Sequence, residues 1–437
     1  MREFGYRILA DGETRDNNTW NTGLNNNDLI IGPSGAGKTR HYIKPNLLQC
    51  QESVVVTDTK GALLDEVGPD LAARGYRVLS IDFAELDGEG LGACGYNPLD
   101  YVRYNQATGR WSEQDIMSIA CALVPQECAK DPFWDNAAQM YMACMIGYVL
   151  ECLPPEEHTL RYVMKLFAQM NYDRSGNASF EEGSPFGRLL CELGRQNPDS
   201  IAWRKFCEFR GNAKVEKMHE SIRGILAAKL AILNFDAAQA LYARKSRVDF
   251  ASLGRKRTAL FLTVSDTDRS MDKLVNLFYT QAFHALCRSA DRDYADHRLP
   301  VPVRFMLDDF AAGTVIPHFD NLTSVIRSRE ISVSIVIQSL TQLEGLYGRN
   351  AAMTIINNCD NCLYLGGQDT HTAQFMAEKV NKPASTILNL PLGSAYLFTR
   401  GRQAKAVKKY DLRGHARYSL LPEAARERQT EVEYPGF

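Results

Sequence analysis

The sequence contains no run of 18 or more apolar residues, so no segment reads as a membrane-spanning helix. The first residues, MREFGYRILADGETRDNNTWN, do not read as a secretory leader either, being too polar where a leader needs an apolar stretch. Positive charge is not in excess. The formal net charge is −2, which gives no global field to attract nucleic acid, so any such partner must be met by local basic patches. The cysteines form no framework. There are eleven, scattered and odd in number, a pattern of free thiols in a reducing interior rather than of disulfide staples. Cys359 and Cys362 form one CxxC with no second CxxC or His pair near it, and two small residues leading into a strand explain it better than zinc does. The eight histidines show neither metal-ligand nor triad spacing, and there is no internal repeat or low-complexity segment. A soluble, cytosolic protein is expected. What remains is an ordinary globular balance, 45% hydrophobic and 23% charged, over 437 residues, enough for two domains.

The most informative stretch is Gly32 to Thr39, GPSGAGKT. It follows the apolar run Asp28–Ile31 and precedes a stretch that can be helical, which is the strand, glycine-rich loop and helix of a phosphate-binding loop. The loop must turn tightly for its N–H groups to face a phosphate, and Gly32, Gly35 and Gly37 permit that turn. Lys38 is then placed to reach the β- and γ-phosphates. The Thr39 hydroxyl is placed to ligate Mg²⁺, and the helix N-terminus adds a favourable dipole. The candidate nucleotide-binding residues are Gly32, Ser34, Gly35, Ala36, Gly37, Lys38, Thr39 and the adjoining Arg40, with Thr39 also a metal ligand. The expected cofactors are ATP and Mg²⁺.

Organisation follows from periodicity. Short strands at Asp28–Ile31, Ser53–Thr57 and Tyr76–Phe83 alternate with helical patterns, which implies an α/β fold with a mainly parallel sheet. From Ser112 onward, apolar residues recur at helical spacing, as in Ile116–Leu123 and Ala137–Leu150. Breaks at Ser175–Ser179 and Arg195–Pro198 divide these helices. Strand signals return at Thr258–Val264, Val301–Asp309, Val333–Ile337 and Leu363, before a hairpin around Ala395–Phe398. The expected domains are 1–111, the first part of a nucleotide-binding domain, and 112–250, an inserted all-helical domain. Residues 251–415 are then the rest of the nucleotide-binding domain, and 416–437 a C-terminal tail.

Other constellations cluster at strand ends. Arg304-Phe-Met-Leu-Asp-Asp309 is a strand ending in two acids. Asp308 suits the Mg²⁺-associated position of a Walker B strand beside Thr39, and Asp309 suits the carboxylate that polarises the attacking water. Gln338 ends the apolar strand at Val333. It reads either as a γ-phosphate sensor or water-positioning amide, or as a simple strand cap. Arg327 and Arg329 read either as arginine fingers offered to a neighbouring subunit, Arg329 being the chosen candidate, or as surface residues. Asp58 and Lys60 either shape the site or form a turn salt pair. The basic clusters at Arg255–Arg257 and Arg400–Lys409 are either phosphate contacts or solvated surface.

The order of these features is itself informative. It runs P-loop, Asp58-Thr-Lys-Gly61, Tyr96-Asn-Pro98, Asp131-Pro-Phe-Trp-Asp-Asn-Ala-Ala138 in the helical insertion, LDDFA, then IVIQSLTQLEGLYG. Over about Leu24 to Gln403 this resembles the type IV secretion coupling proteins, the TraG-like ATPases of conjugation. The resemblance implies a RecA-like domain with an all-helical insertion facing the cytosol and contacting cargo. It implies a homohexameric ATPase ring, a monomer being an alternative in isolation. Implied partners are DNA, single-stranded by preference, a relaxase or protein effector, and secretion-channel components. On that pattern Lys38 and Thr39 carry phosphate and magnesium, Asp308 and Asp309 occupy the Walker B positions, and Gln338 falls in the family's Gln motif. Members usually begin with transmembrane helices. Attachment to the cytoplasmic face of the membrane is therefore expected through an anchor missing from this sequence or through a partner. The family more often has Asp-Glu where this chain has Asp308-Asp309, which implies slower hydrolysis. Two other readings compete. A nucleotide-regulated docking platform without motor activity remains open. A chromosome-partitioning pump is disfavoured by the helical insertion.

Overall fold

Nine strands form the central sheet among the described residues. The computed structural model describes residues 3–86, 89–126, 132–170, 184–212, 216–310 and 315–433. In chain order the strands are a small hairpin, β1 (Tyr6–Ala10) and β2 (Glu13–Asp16), then β3 (Asp28–Ile31), β4 (Ser53–Asp58) and β5 (Arg77–Asp82). A two-residue ladder follows, β6 (Tyr104–Asn105) with β7 (Arg110–Trp111). The chain continues with β8 (Thr258–Thr263), β9 (Val303–Leu307), β10 (Ile331–Ile337), β11 (Asn361–Tyr364), β12 (Ser394–Thr399) and β13 (Lys405–Lys408). The sheet order is β13-β12-β11-β3-β10-β9-β4-β8-β5. All neighbours are parallel from β11 to β5, and β12 and β13 are antiparallel additions. Both faces are covered, so β3, β4, β9 and β10 are buried throughout. Their sequences accordingly read as continuous apolar runs rather than as alternation.

The chain separates into two compact units: one of residues 1–93, 249–269 and 282–437, the other of residues 94–248 and 270–281. The first holds the sheet. The second is helical, and it starts earlier than the sequence periodicity suggests. Residues 94–111 carry little helix, yet they are tied into it. The Asn97 amide donates to the His158 carbonyl at 2.8 Å, and its oxygen accepts from Leu160 N–H at 3.2 Å. The Tyr96 hydroxyl donates to Gln281 at 2.5 Å. Helical spacing begins only at Ser112, whose hydroxyl caps the helix Glu113–Leu123, so periodicity could not report the preceding residues.

Inside the second unit the helix Phe133–Cys152 is buried on most of its surface. A helix apolar all round needs cover on every side, and its main neighbour is the helix Ile201–Asn212. Asp131 of the DPFW stretch and the Ser175–Ser179 break lie outside the described residues. Asp135, from the same stretch, is buried in an ion pair with Lys229 at 2.8 Å. No described helix is long and apolar enough to cross a membrane.

The segment expected to be a tail is instead built into the first unit up to its last described residue. A short helical turn, Tyr418–Leu420, leads into the helix Pro422–Glu433. Leu421 and Ala424 are buried, as is Leu412 just before them. The charge-rich composition hid these few apolar anchors.

Candidate nucleotide site

Parallel strands bring their carboxyl ends to one edge, and this sheet uses that edge to assemble a site from distant residues. β3 ends in the P-loop, β4 in Asp58, β9 in Asp308 and β10 in Gln338. The Gly32 N–H donates to the Ile337 carbonyl at 3.1 Å, locking the loop's start to the neighbouring strand. Gly35 and Gly37 both take positive φ, +77° and +83°. At Gly37 a Cβ would lie 2.4 Å from the His41 ring, so any side chain there would force the loop apart. The helix after the loop opens with a π turn, Thr39–Ile43, before its α portion Lys44–Gln49. Pro45 has no N–H to give the next α-type bond, which accounts for the wider turn.

A cavity of about 370 Å³ opens beside this loop. Of the expected nucleotide residues, Ser34, Gly35, Gly37, Lys38, Thr39 and Arg40 line it, together with Asp308 and Asp309. Gly32 and Ala36 lie beneath the loop, supplying its turn rather than its wall. Lys38 Nζ donates to the Gly32 carbonyl at 3.0 Å and to the Pro33 carbonyl at 3.3 Å, and sits 3.6 Å from Asp309 Oδ1. That ammonium is folded back on its own loop. The Thr39 hydroxyl donates to Asp308 Oδ2 at 2.8 Å. Burial pushes the Asp308 carboxyl above its ordinary value, with the Thr39 hydrogen bond opposing and the Asp309 charge adding to it. Asp309 is held at φ +45°, a conformation that non-glycine residues rarely adopt. Its Oδ1 is buried with no hydrogen-bond partner.

These features fit a magnesium–nucleotide complex. Mg²⁺ takes one or two protein oxygens and completes its octahedron with phosphate and water. Thr39 and Asp308 offer two hard oxygens within hydrogen-bond distance of each other. No group of three or more acidic, His or Cys side chains that could hold a metal gathers among the described residues.

The remaining sequence candidates fare differently. Arg40 touches the cavity, but its guanidinium is paired with Glu423 from the C-terminal helix. Gln338 follows β10 at the same edge, yet its exposed side chain is not part of the cavity wall; its backbone N–H donates to Gln342 Oε1 at 3.2 Å. Arg329 precedes β10 and so lies at the opposite, amino edge. It is committed there to Asp291 through two bonds of 2.8 and 2.9 Å. Within one chain it cannot meet the phosphate loop. Asp58 and Lys60 form no salt pair in the described structure. Instead the Asp58 carboxylate accepts the N–H groups of Lys60, Leu63 and Leu64, fastening the turn and the start of the helix Ala62–Ala73.

Sequence reasoning missed several residues of the wall. Thr59, Lys44 and Glu66 line it, with Lys44 Nζ 2.6 Å from Glu66. Lys60, seen only as a turn residue or site shaper, lines it too. The basic run Arg400–Lys409 also divides up. Arg400 is paired with Asp360 and Lys405 with Glu13, while Lys409 reaches the P-loop backbone. No local spacing signals any of these contacts, because each joins segments far apart in the chain.

Residues 6–384 match the family model described as type IV secretory system conjugative DNA transfer. The chain belongs to this family. Among its relatives is Protein VirD4 of Agrobacterium fabrum, 25% identical over 356 residues, which are 80% of this chain and 49% of the relative. Protein VirD4 of Rhizobium rhizogenes is 25% identical over 358 residues, 81% of this chain and 49% of the relative. The chain thus spans about half the length of these relatives. Among solved structures, the plasmid coupling protein TrwB in complex with the non-hydrolysable ATP analogue ADPNP superposes with TM-score 0.64. It is 16% identical, with 94% of this chain and 90% of that one covered. VirB4 of Thermoanaerobacter pseudethanolicus gives TM-score 0.55 at 13% identity, with 93% and 96% covered. At those identities the likeness concerns the fold, a RecA-like P-loop domain with a mostly parallel sheet.

Proposed function

We propose that this chain binds ATP with Mg²⁺ at the Gly32–Thr39 loop and hydrolyses it, as the motor part of a conjugative type IV secretion coupling protein. The observation that carries this is the convergence of Lys38, Thr39, Asp308 and Asp309 on one cavity from two distant stretches of chain. On binding, Lys38 exchanges the Gly32 and Pro33 carbonyls for phosphate oxygens, a charge-assisted contact. The loop N–H groups hold the phosphate chain in line. Thr39 and Asp308 would hold Mg²⁺, which would supply charge neutralisation on the phosphate oxygens. Asp309, whose Oδ1 makes no hydrogen bond and lies 3.6 Å from Lys38, takes the proton of an attacking water or orients it.

In this reading the second unit recruits a relaxase-bound DNA strand or a protein effector, and hydrolysis drives its passage to the secretion channel. A homohexameric ring at the cytoplasmic face of the membrane is the working assembly, with Gln338 and Arg329 acting across subunit boundaries. The solved complexes of TrwB with ADPNP and with ADP and Mg²⁺ support the nucleotide part. One observation favours a second reading, a nucleotide-gated docking platform. Asp309 is one methylene shorter than the glutamate more usual in the family, and it sits 3.6 Å from Lys38.

The test is ATP hydrolysis by the purified chain, with and without single-stranded DNA, beside Lys38→Ala. Turnover raised by DNA and absent in the variant supports the motor. Tight nucleotide binding without turnover in any condition supports the platform.

A further inference from the structure

The stretch after β13 lies beyond the family-matched region, which ends at residue 384, yet it reaches the phosphate loop at one point and the helical turn that follows the loop at two more. Lys409 Nζ donates to the Ala36 carbonyl at 3.1 Å. The Tyr410 carbonyl is 2.7 Å from His41 Nδ1, and the His41 ring is the group that crowds Gly37. Glu423 pairs with Arg40 and lies 3.6 Å from Lys44. The stretch is itself well anchored. Leu412 and Leu421 are buried, and Arg417 pairs with Asp70 at 2.8 Å.

We propose that Lys409–Glu423 is a brace for the phosphate loop, with Lys409 a positioning residue that strengthens phosphate binding through the Ala36–Gly37 peptide. A trans peptide points its carbonyl and its N–H in opposite directions. With the Ala36 carbonyl turned to Lys409, the Gly37 N–H faces away from it, and Gly37 lines the cavity. An ammonium on the carbonyl oxygen polarises the peptide and makes that N–H a better donor, the cooperative effect of linked hydrogen bonds in a low-dielectric setting. The His41 ring, hydrogen-bonded to the Tyr410 carbonyl, packs close to Gly37. Burial lowers the Lys409 ammonium from its ordinary value, so this cation is held in place at some cost. That is expected of a group kept for its position.

The proposal rests on the nucleotide reading above, and its test separates the two. Binding of a non-hydrolysable ATP analogue and of tripolyphosphate is measured by calorimetry for the wild type, Lys409→Met, Lys409→Arg and Lys38→Ala, alongside the ligand-free melting temperature of each. Lys409→Met should weaken both ligands by the same factor, about tenfold for one charge-supported donor, with an unchanged melting temperature. Lys409→Arg should recover most of the loss. Equal affinities in Lys409→Met and wild type overturn the brace. So does a loss confined to the ATP analogue, which would mean a nucleoside contact, and so does a loss that tracks a fall in melting temperature. If the wild type binds neither ligand, the nucleotide reading itself falls and takes the brace with it.

Discussion

The two edges of the central sheet hold similar charged residues and use them in opposite ways. At the amino edge, Arg304 pairs with Glu52 at 2.9 Å and lies 3.6 Å from Asp28. Arg7 pairs with Asp28 at 2.6 Å and with Asn17 at 2.7 Å, and the Tyr42 hydroxyl donates to Asp28 at 2.6 Å. All of these side chains are buried, and each charge is met by an opposite one. At the carboxyl edge, Lys38 leans on carbonyls, Asp309 has a buried oxygen with no hydrogen bond and only a loose 3.6 Å approach to Lys38, and Asp308 is buried against a hydroxyl. A closed polar cluster stabilises a fold, because breaking it strands a charge. An open one waits for a ligand to complete it.

The contrast can be broken at either edge. Arg304→Met should have the largest effect, about 3–5 kcal/mol of stability, since Glu52 would be left buried without its counter-ion while Asp28 would keep only Arg7 as counter-ion. Urea denaturation reads it, and a loss under about 1 kcal/mol would place the network with ordinary surface pairs. Lys38→Ala should leave stability nearly unchanged while weakening nucleotide about a hundredfold, or about 3 kcal/mol; calorimetric titration decides.

Asp308→Asn sharpens the comparison through pH. The Asp308 carboxyl is raised by burial, so the folded state holds its proton more tightly than the unfolded one. Its ionisation therefore erodes stability as pH rises from the ordinary aspartate range through the raised value. Removing the charge should raise the ligand-free melting temperature at neutral pH and abolish the gain in nucleotide affinity that Mg²⁺ gives. Glu52 has the opposite sign. Burial alone would raise it, but the charge and hydrogen bond of Arg304 bring it below its ordinary value. Its contribution is present above the usual glutamate range and is lost as pH falls through the lowered value. An acid titration of melting temperature should thus be less steep in Glu52→Gln, whereas Asp308→Asn should differ from wild type mainly toward neutral pH. Asp58→Ala should have the smallest effect, about 1 kcal/mol, the usual loss of a helix-capping side chain.

The legible parts of the site were local. The P-loop is eight consecutive residues, and the acidic pair at 308 and 309 ends a plainly apolar strand. The buried network at the other edge was not legible. Its central bond joins residues 252 positions apart, and Arg304 reads in sequence as a polar residue inside a strand. The helical unit was visible from its spacing, but its start at residue 94 was not, because Tyr96 and Asn97 hold on by side-chain hydrogen bonds that leave no period. Gln338 and Arg329 show the limit from the other side. Both sit where a motif suggests chemistry, and the fold puts one off the cavity wall and the other at the far edge.

By itself the sequence determined the alternation of strands and helices, the phosphate loop and the acidic strand end. Each is written in neighbouring residues whose backbone needs and burial pattern are satisfied within one element. The tertiary structure alone decided which charges are closed and which are open. It also decided that Lys409, apparently one of a surface cluster, lies on the loop's backbone. Those outcomes depend on which distant strand ends meet at an edge, and sheet order, not local spacing, sets that.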